Sequence, residues 1–232
     1  MKKNYKLLTS LLSIFYPNLC VGCGQILQEN EVHLCLDCLL HLPETQYHAG
    51  KDNPLETVFR GRARVENVYA FLQYRKGNHV QNILHQLKYK GNKEIGAYLG
   101  EMYGRKLCQS GKLKDVDLIL PIPLHPKKMK IRGYNQSEWI AKGLTVATGI
   151  PYCTDILVRN TFTETQTKKS RFNRWQNVKD VFEIANFERI KGKHVIVCDD
   201  VLTTGATTEA AIQKILAVPG TRVTVVTLAT AK

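Results

Sequence analysis

Val195-Ile196-Val197-Cys198-Asp199-Asp200-Val201-Leu202-Thr203-Thr204-Gly205-Ala206-Thr207 is the stretch on which the fold turns. Its first four residues are apolar without alternation, so they read as a strand covered on both faces, as in a parallel sheet flanked by helices. The strand delivers two adjacent acids at its C-terminal end. A turn of small hydroxyl residues and Gly205 follows, then a helix from Thr207 to Leu216. In open α/β sheets, ligands bind outside strand C-termini. The amides from Thr203 through Thr204, Gly205 and Ala206 to Thr207 open a helix and point at a phosphate with the helix dipole behind them. Gly205 gives close backbone approach, and Thr203, Thr204 and Thr207 add hydroxyl donors. Asp199 and Asp200 sit too near an anion to bind it directly; they suit sugar hydroxyls or the hydration sphere of Mg²⁺. The lysine of a Walker turn is missing, so this is no P-loop.

Working outward, strands alternate with helices. Val68 to Tyr74, Asp117 to Leu120 and Val223 to Leu228 read as strands, and Val80 to Leu87, Ile95 to Cys108 and Ser137 to Ala147 as helices. The expected class is α/β, a doubly wound parallel sheet over residues 67–232. Residues 46–66 show little periodicity and read as a linker. Residues 159–180 are crowded with Thr, Lys, Arg and Asn and read as a long surface loop.

Residues 1–45 form a second unit. Cys20-x-x-Cys23 and Cys35-x-x-Cys38 are separated by eleven residues and place four thiolates around one metal ion. Gly22 and Gly24 suit the tight knuckle turns. Zinc leads; rubredoxin-type iron uses the same ligands. Four thiolates close the shell, so the site is structural. Leu7, Leu8, Leu11, Leu12 and Phe15 share a helical face ahead of it, and Thr9, Ser10 and Ser13 break the run that would make a signal peptide. No stretch approaches the ~18 apolar residues of a membrane span. The remaining cysteines are isolated, which fits a reducing compartment better than a disulfide framework.

The 232 residues are 44% hydrophobic and 23% charged, which excludes a disordered chain or a disulfide miniprotein. Lys and Arg number 33 against 20 Asp and Glu, a formal charge of +13. That balance favours polyanionic partners, although solvated lysines alone also produce it.

The thirteen-residue string resembles the phosphoribosyl-pyrophosphate (PRPP) signature of type I phosphoribosyltransferases. Pro121-Ile122-Pro123-Leu124-His125-Pro126, Arg132-Gly133-Tyr134-Asn135-Gln136, and Thr163-x-x-Gln166 with Arg171, Arg174, Asn177 and Phe182 widen the resemblance to the ComF family. That family joins a four-cysteine zinc module to such a domain and is associated with natural DNA uptake. Lys169, Asn173 and Asp180-Val181 depart from its usual pattern. The resemblance implies catalytic roles for Asp199 and Asp200, a PRPP-binding turn from Thr203 to Thr207, and a pyrophosphate loop of Pro121, Ile122, Pro123, Leu124 and Arg132. It also implies a lid bearing Gln166, Arg171, Arg174 and Asn177, and a basic segment with Lys88 and Lys90 facing the pocket. For Lys88-Tyr89-Lys90-Gly91, a charged helix end with Gly91 as its cap is an equal alternative.

The implied function is a protein of competence and DNA uptake that binds PRPP or a nucleotide with Mg²⁺. It would act in the cytoplasm, up to the inner face of the membrane, on incoming single-stranded DNA. Tyr134 and Trp175 are candidate stacking surfaces for its bases. Two other readings remain: a working transferase on an unknown base, and a PRPP-sensing adaptor docking a DNA helicase.

Overall fold

The computed structural model describes residues 17–50, 53–159 and 181–232. The expected amphipathic helix before Pro17 and the expected lid residues Gln166, Arg171, Arg174 and Asn177, with Trp175, lie outside the described residues.

In chain order the elements are α1 (Leu36–Leu40), a 3₁₀ turn (Pro54–Val58), β1 (Asn67–Gln73), α2 (His79–Tyr89), α3 (Glu94–Gln109), β2 (Leu118–Pro121) and α4 (Pro126–Arg132). Then come α5 (Gln136–Thr148), β3 (Leu157–Arg159), β4 (Phe182–Ile184), β5 (His194–Leu202), α6 (Ala206–Leu216) and β6 (Arg222–Thr230). The main sheet runs β1-β6-β5-β2, every pair parallel, with Asp199 opposite Thr227 on β6. β3 and β4 form a separate antiparallel pair at the ends of the stretch expected as a loop.

Strand residues alternate between two cores. Ile196, Cys198, Tyr69 and Phe71 face α3 and α5, while Val195, Val197, Val68 and Ala70 face α6. This is why the strands read as unbroken apolar runs, and it is the expected doubly wound arrangement. Gly96, Gly100 and Gly104 recur every four residues along α3 and meet α5. A Cβ on Gly100 would collide with the Ile140 carbonyl oxygen, and one on Gly143 with that of Ala97. The two helices therefore touch backbone to backbone, and α5 is seated rigidly over β2 and β5.

In the crossover after β2, α5 covers one face, and α6, after β5, covers the other. β2 and β5 are neighbours, so a crevice opens between their C-terminal ends. The Ile122 amide donates to the Cys198 carbonyl at 2.9 Å and closes its floor.

The stretch expected as a linker packs against this frame. Leu55, Val58 and Phe59 are buried with β1 and α6 in the second core. Their helical spacing was masked by the polar residues around them, and Pro54 at the first position starts the turn. The cysteine-bearing segment is likewise continuous with the first core: Cys20, Val21, Leu34, Cys35 and Cys38 cluster with β1, α2 and α3.

Candidate functional site

A cleft of about 630 Å³ lies at the C-terminal ends of β2 and β5, within the range of small-molecule sites. Asp199, Asp200, Thr203 and Thr207 line it, as do Ile122, Pro123 and Leu124, Arg132 and Lys88. These sequence-predicted residues come from four separate elements and meet in one place. Lys90 is exposed and does not line the cleft, and Pro121 is buried as the last residue of β2. Thr204, Gly205 and Ala206 form the turn without lining the cleft wall.

Among the described residues, Asp199 is the most perturbed carboxyl. Burial, with the adjacent Asp200 charge adding to it, pushes its pKa up to about 7. Ser137 Oγ donates to it at 3.0 Å and the Asp200 amide at 2.8 Å. Asp200 pairs with Lys88 Nζ at 2.9 Å. Gly91 adopts a positive φ of 73° just past the α2 cap, and Lys88 faces the acids.

Gly205 is required for two reasons. Its φ is 78°, and a Cβ would lie 2.8 Å from Val58 and 3.2 Å from Phe59. The close approach expected toward a ligand is thus made toward the chain's own core. Arg62 braces the same turn, donating to the Thr204 carbonyl at 3.3 Å and pairing with Glu209. The N-cap residue Gly205 offers α6 no side chain, and Thr204 Oγ1 accepts from the Ala206 amide at 3.4 Å. A helix N-terminus with a glycine cap beside a polar cleft is an anion site in form.

After the irregular stretch from Ile122 to His125 the chain enters α4. His125 caps it by accepting from the Lys127 amide at 3.1 Å, and Pro126 occupies its first position. No residue of α4 is buried, so Lys127, Lys128 and Lys130 form an exposed basic rim. Tyr134 is not an open stacking surface: its hydroxyl donates to the Leu87 carbonyl and its ring packs on the first core.

Sequence reasoning missed several cleft residues. Arg159, at the end of β3, lines the cleft; burial lowers its guanidinium pKa and the Asp199 charge opposes that. Tyr74, His85 and Tyr89 add rings, and Asn135, Gln136 and Ser137 add polar groups from the start of α5. Arg132 donates to Gln136 Oε1 at 2.7 Å, and its guanidinium carbon lies 5.2 Å from the Tyr89 ring centroid. The four-residue spacings His85–Tyr89 and Arg132–Gln136 were readable; that they meet was not.

The second site is the cysteine cluster. The Sγ atoms of Cys20, Cys23, Cys35 and Cys38 all lie within 4.8 Å of one another. Cys23 and Cys35 Sγ are 3.6 Å apart, close to the ~3.8 Å edge of a tetrahedron with 2.3 Å Zn–S bonds. The Cys35 amide donates to Cys20 Sγ at 3.3 Å and the Cys38 amide to Cys35 Sγ at 3.4 Å. Burial works to raise the Cys20 thiol, yet donation from the Cys23, Cys35 and Gly22 amides outweighs it, and the pKa falls to about 6. Burial raises Cys38. Gly24 takes a φ of 79°, while a Cβ on Gly22 would lie 3.0 Å from Cys38 Sγ. A four-thiolate set of this shape could hold a soft tetrahedral ion such as Zn²⁺, and α2 buttresses it through Asn82 Nδ2, which donates to the Gly22 carbonyl at 2.7 Å.

Residues 141–232 match the family model described as a phosphoribosyl transferase domain. The DNA utilization protein YhgH of Salmonella typhimurium is 29% identical over 137 residues, covering 58% of this chain and 60% of that protein. Competence protein F of Haemophilus influenzae is 35% identical over 104 residues, 44% of this chain and 45% of that one. The domain match and the similarity to these two proteins agree with the resemblance drawn from the sequence motifs. The chain spans about three fifths of the length of the YhgH relatives it matches. A solved glutamine PRPP amidotransferase from B. subtilis, complexed with ADP and GMP, aligns with a TM-score of 0.43 at 21% identity over 61% of this chain and 30% of that one.

Proposed function

We propose that the cleft binds PRPP or a nucleotide phosphate with Mg²⁺, and that the chain serves DNA uptake or utilisation through that site. The single observation that carries this reading is the pairing, at one strand end, of a doubly acidic tip with a glycine-capped helix N-terminus. A sugar phosphate matches both: the phosphate meets the α6 amides, and Asp199 and Asp200 accept from ribose hydroxyls. Mg²⁺ would neutralise the diphosphate of PRPP beside them. Departure of pyrophosphate leaves an oxocarbenium-like ribose, so catalysis needs positioning and charge rather than a protein nucleophile. Arg132 and Lys88 supply cations at the cleft, and Arg159 supplies a third. The cysteine cluster holds structural zinc in this reading.

The exposed basic helix α4 favours single-stranded DNA as a companion ligand, held by its phosphates. No helix among the described residues is long and apolar enough to cross a membrane; the reading puts the chain's action in the cytoplasm, up to the inner membrane face. A second reading, a PRPP-sensing adaptor whose cysteine segment docks a DNA helicase, draws on one observation. Leu19, Ile26, Val32, Leu36 and Leu40 are each more than half exposed around the knuckles.

The test is ligand-induced stabilisation. Mg²⁺ and PRPP at 100 times Kd should stabilise the wild type by about 2.7 kcal/mol through linkage, and release of pyrophosphate in the presence of candidate bases would mark a working transferase. No shift at millimolar PRPP would remove the phosphate reading. Loss of DNA uptake in a cysteine variant that retains the PRPP shift would favour the adaptor.

A further inference from the structure

The segment that leaves the cysteine cluster is tied along β1, the end strand of the main sheet. The Thr45 amide donates to the Phe71 carbonyl at 2.9 Å, the Gln73 amide donates to the Pro43 carbonyl at 2.7 Å, and Glu44 forms an antiparallel bridge with Leu72. The strap then turns at Gln46, whose φ of 55° is sparsely populated by residues other than glycine. His48 follows and is 8% exposed. Its ring stands edge-on to Tyr103 of α3, with centroids 5.6 Å apart, and Tyr103 stacks on Phe71 of β1 at 4.9 Å. One imidazole thus fastens the strap to both β1 and α3.

That seat suits the neutral ring and not the charged one. Nδ1 of His48 has no hydrogen-bond partner among the described residues. In neutral imidazole one nitrogen carries no proton; in imidazolium both nitrogens donate, and a buried charged donor without an acceptor is costly. Two charged groups act on the ring: Lys106 of α3 opposes a second cation, and Glu44 of the strap attracts it. Glu44 is already engaged by Lys106 Nζ at 3.0 Å. The phenols of Tyr103 on α3 and Tyr69 on β1 are buried, and burial raises the pKa of both, so they stay neutral. Burial, with Lys106 adding to it, lowers the pKa of His48 below its ordinary 6.5.

We propose that residues 43–50 form an acid-sensitive strap, latched to β1 and α3 by the neutral ring of His48 and released when that ring is protonated. Release frees the Phe71 carbonyl and the Gln73 amide on the edge of β1 and slackens the tie between the cysteine segment and the sheet. The sign follows from linkage: the latch is fully stable above pH 6.5 and weakens as pH falls through the lower folded-state pKa. The strap lies apart from the residues of the cleft and does not depend on the phosphate reading.

Amide hydrogen exchange of the full chain, with metal content recorded at each pH, tests the latch. Between pH 8 and pH 5.5 the protection factors of the Thr45 and Gln73 amides should fall, by up to about tenfold per pH unit below 6.5, while those of central β5 amides such as Ile196 hold. His48→Phe keeps an aromatic edge against Tyr103 without a titrating ring and should flatten the fall. His48→Gln, small and uncharged, should flatten it too, and serves where the phenylalanine variant does not fold. Lys106→Met leaves Glu44 free to accept from the imidazolium and should reduce the fall. Protection factors that stay constant with pH in the wild type, or that fall equally in a folded His48 variant, would overturn the latch. A fall that merely tracks loss of metal, in wild type and variants alike, would overturn it as well.

Discussion

The cysteine cluster and the cleft are both polar sites built beside α2, yet they are opposite in design. In the cluster, the chain supplies a full set of four donors and directs its own amides at Cys20 and Cys35 Sγ. Nothing is left open for a reactant. In the cleft the chain leaves its groups unfinished: a carboxyl pushed up to about 7, a helix start whose cap residue is a glycine, and a buried amide with no acceptor. A closed donor set stabilises a fold; an unfinished one is held in place by the surrounding structure until a ligand completes it.

The contrast is broken most forcefully at the cluster. Cys20, Cys35 and Cys38 share a core with β1, α2 and α3, so losing the metal should reach the whole chain. Cys35→Ser, read by zinc content and thermal melting, should release about one equivalent of metal and cost about 4 kcal/mol or more. An unchanged melt in a metal-free protein would make the four thiols ordinary core residues. At the cleft, the largest effect belongs to Gly205→Val, which combines a left-handed backbone with collision against Val58 and Phe59. A loss of about 3 kcal/mol is expected by chemical denaturation. Wild-type stability in this variant would contradict the tight seating of the turn.

A smaller effect sharpens the electrostatics. The folded-state pKa of Asp199 is raised from 3.8 to about 7. The sign follows from linkage: its contribution to stability is full below pH 3.8 and is lost as pH rises through 7. Asp199→Asn should flatten that fall, measured as the pH dependence of the denaturation midpoint. Ligand that needs the ionised carboxylate should also release a proton near neutral pH, visible as buffer-dependent binding heat. Identical pH profiles for wild type and variant would mean that Asp199 titrates normally.

Legibility followed the range of the interactions. The cysteine knuckles and the strand–turn–helix of Val195 to Thr207 are local, and spacing alone exposed them. The parallel sheet was readable because Val195 to Cys198 must face two cores at once. The cleft's other walls were not readable, because Arg159, Gln136 and Tyr89 are brought together by strand order and by the glycine-mediated seating of α5 on α3. Residues 53–62 were misjudged for a related reason. Leu55, Val58 and Phe59 carry a helical apolar spacing only one turn long, too short to stand out from Asp52, Asn53, Pro54 and Gly61. Lys90 was grouped with Lys88 by proximity in sequence, yet two residues along a helix turn a side chain away.

The most direct measurement is calorimetric titration of PRPP with Mg²⁺ into the wild type and into a variant carrying both Asp199→Ala and Asp200→Ala. The account predicts saturable binding near one equivalent in the wild type and at least a tenfold loss, about 1.4 kcal/mol or more, in a variant that remains folded by circular dichroism. Equal affinity in the two proteins would place the phosphate ligand elsewhere and contradict the account.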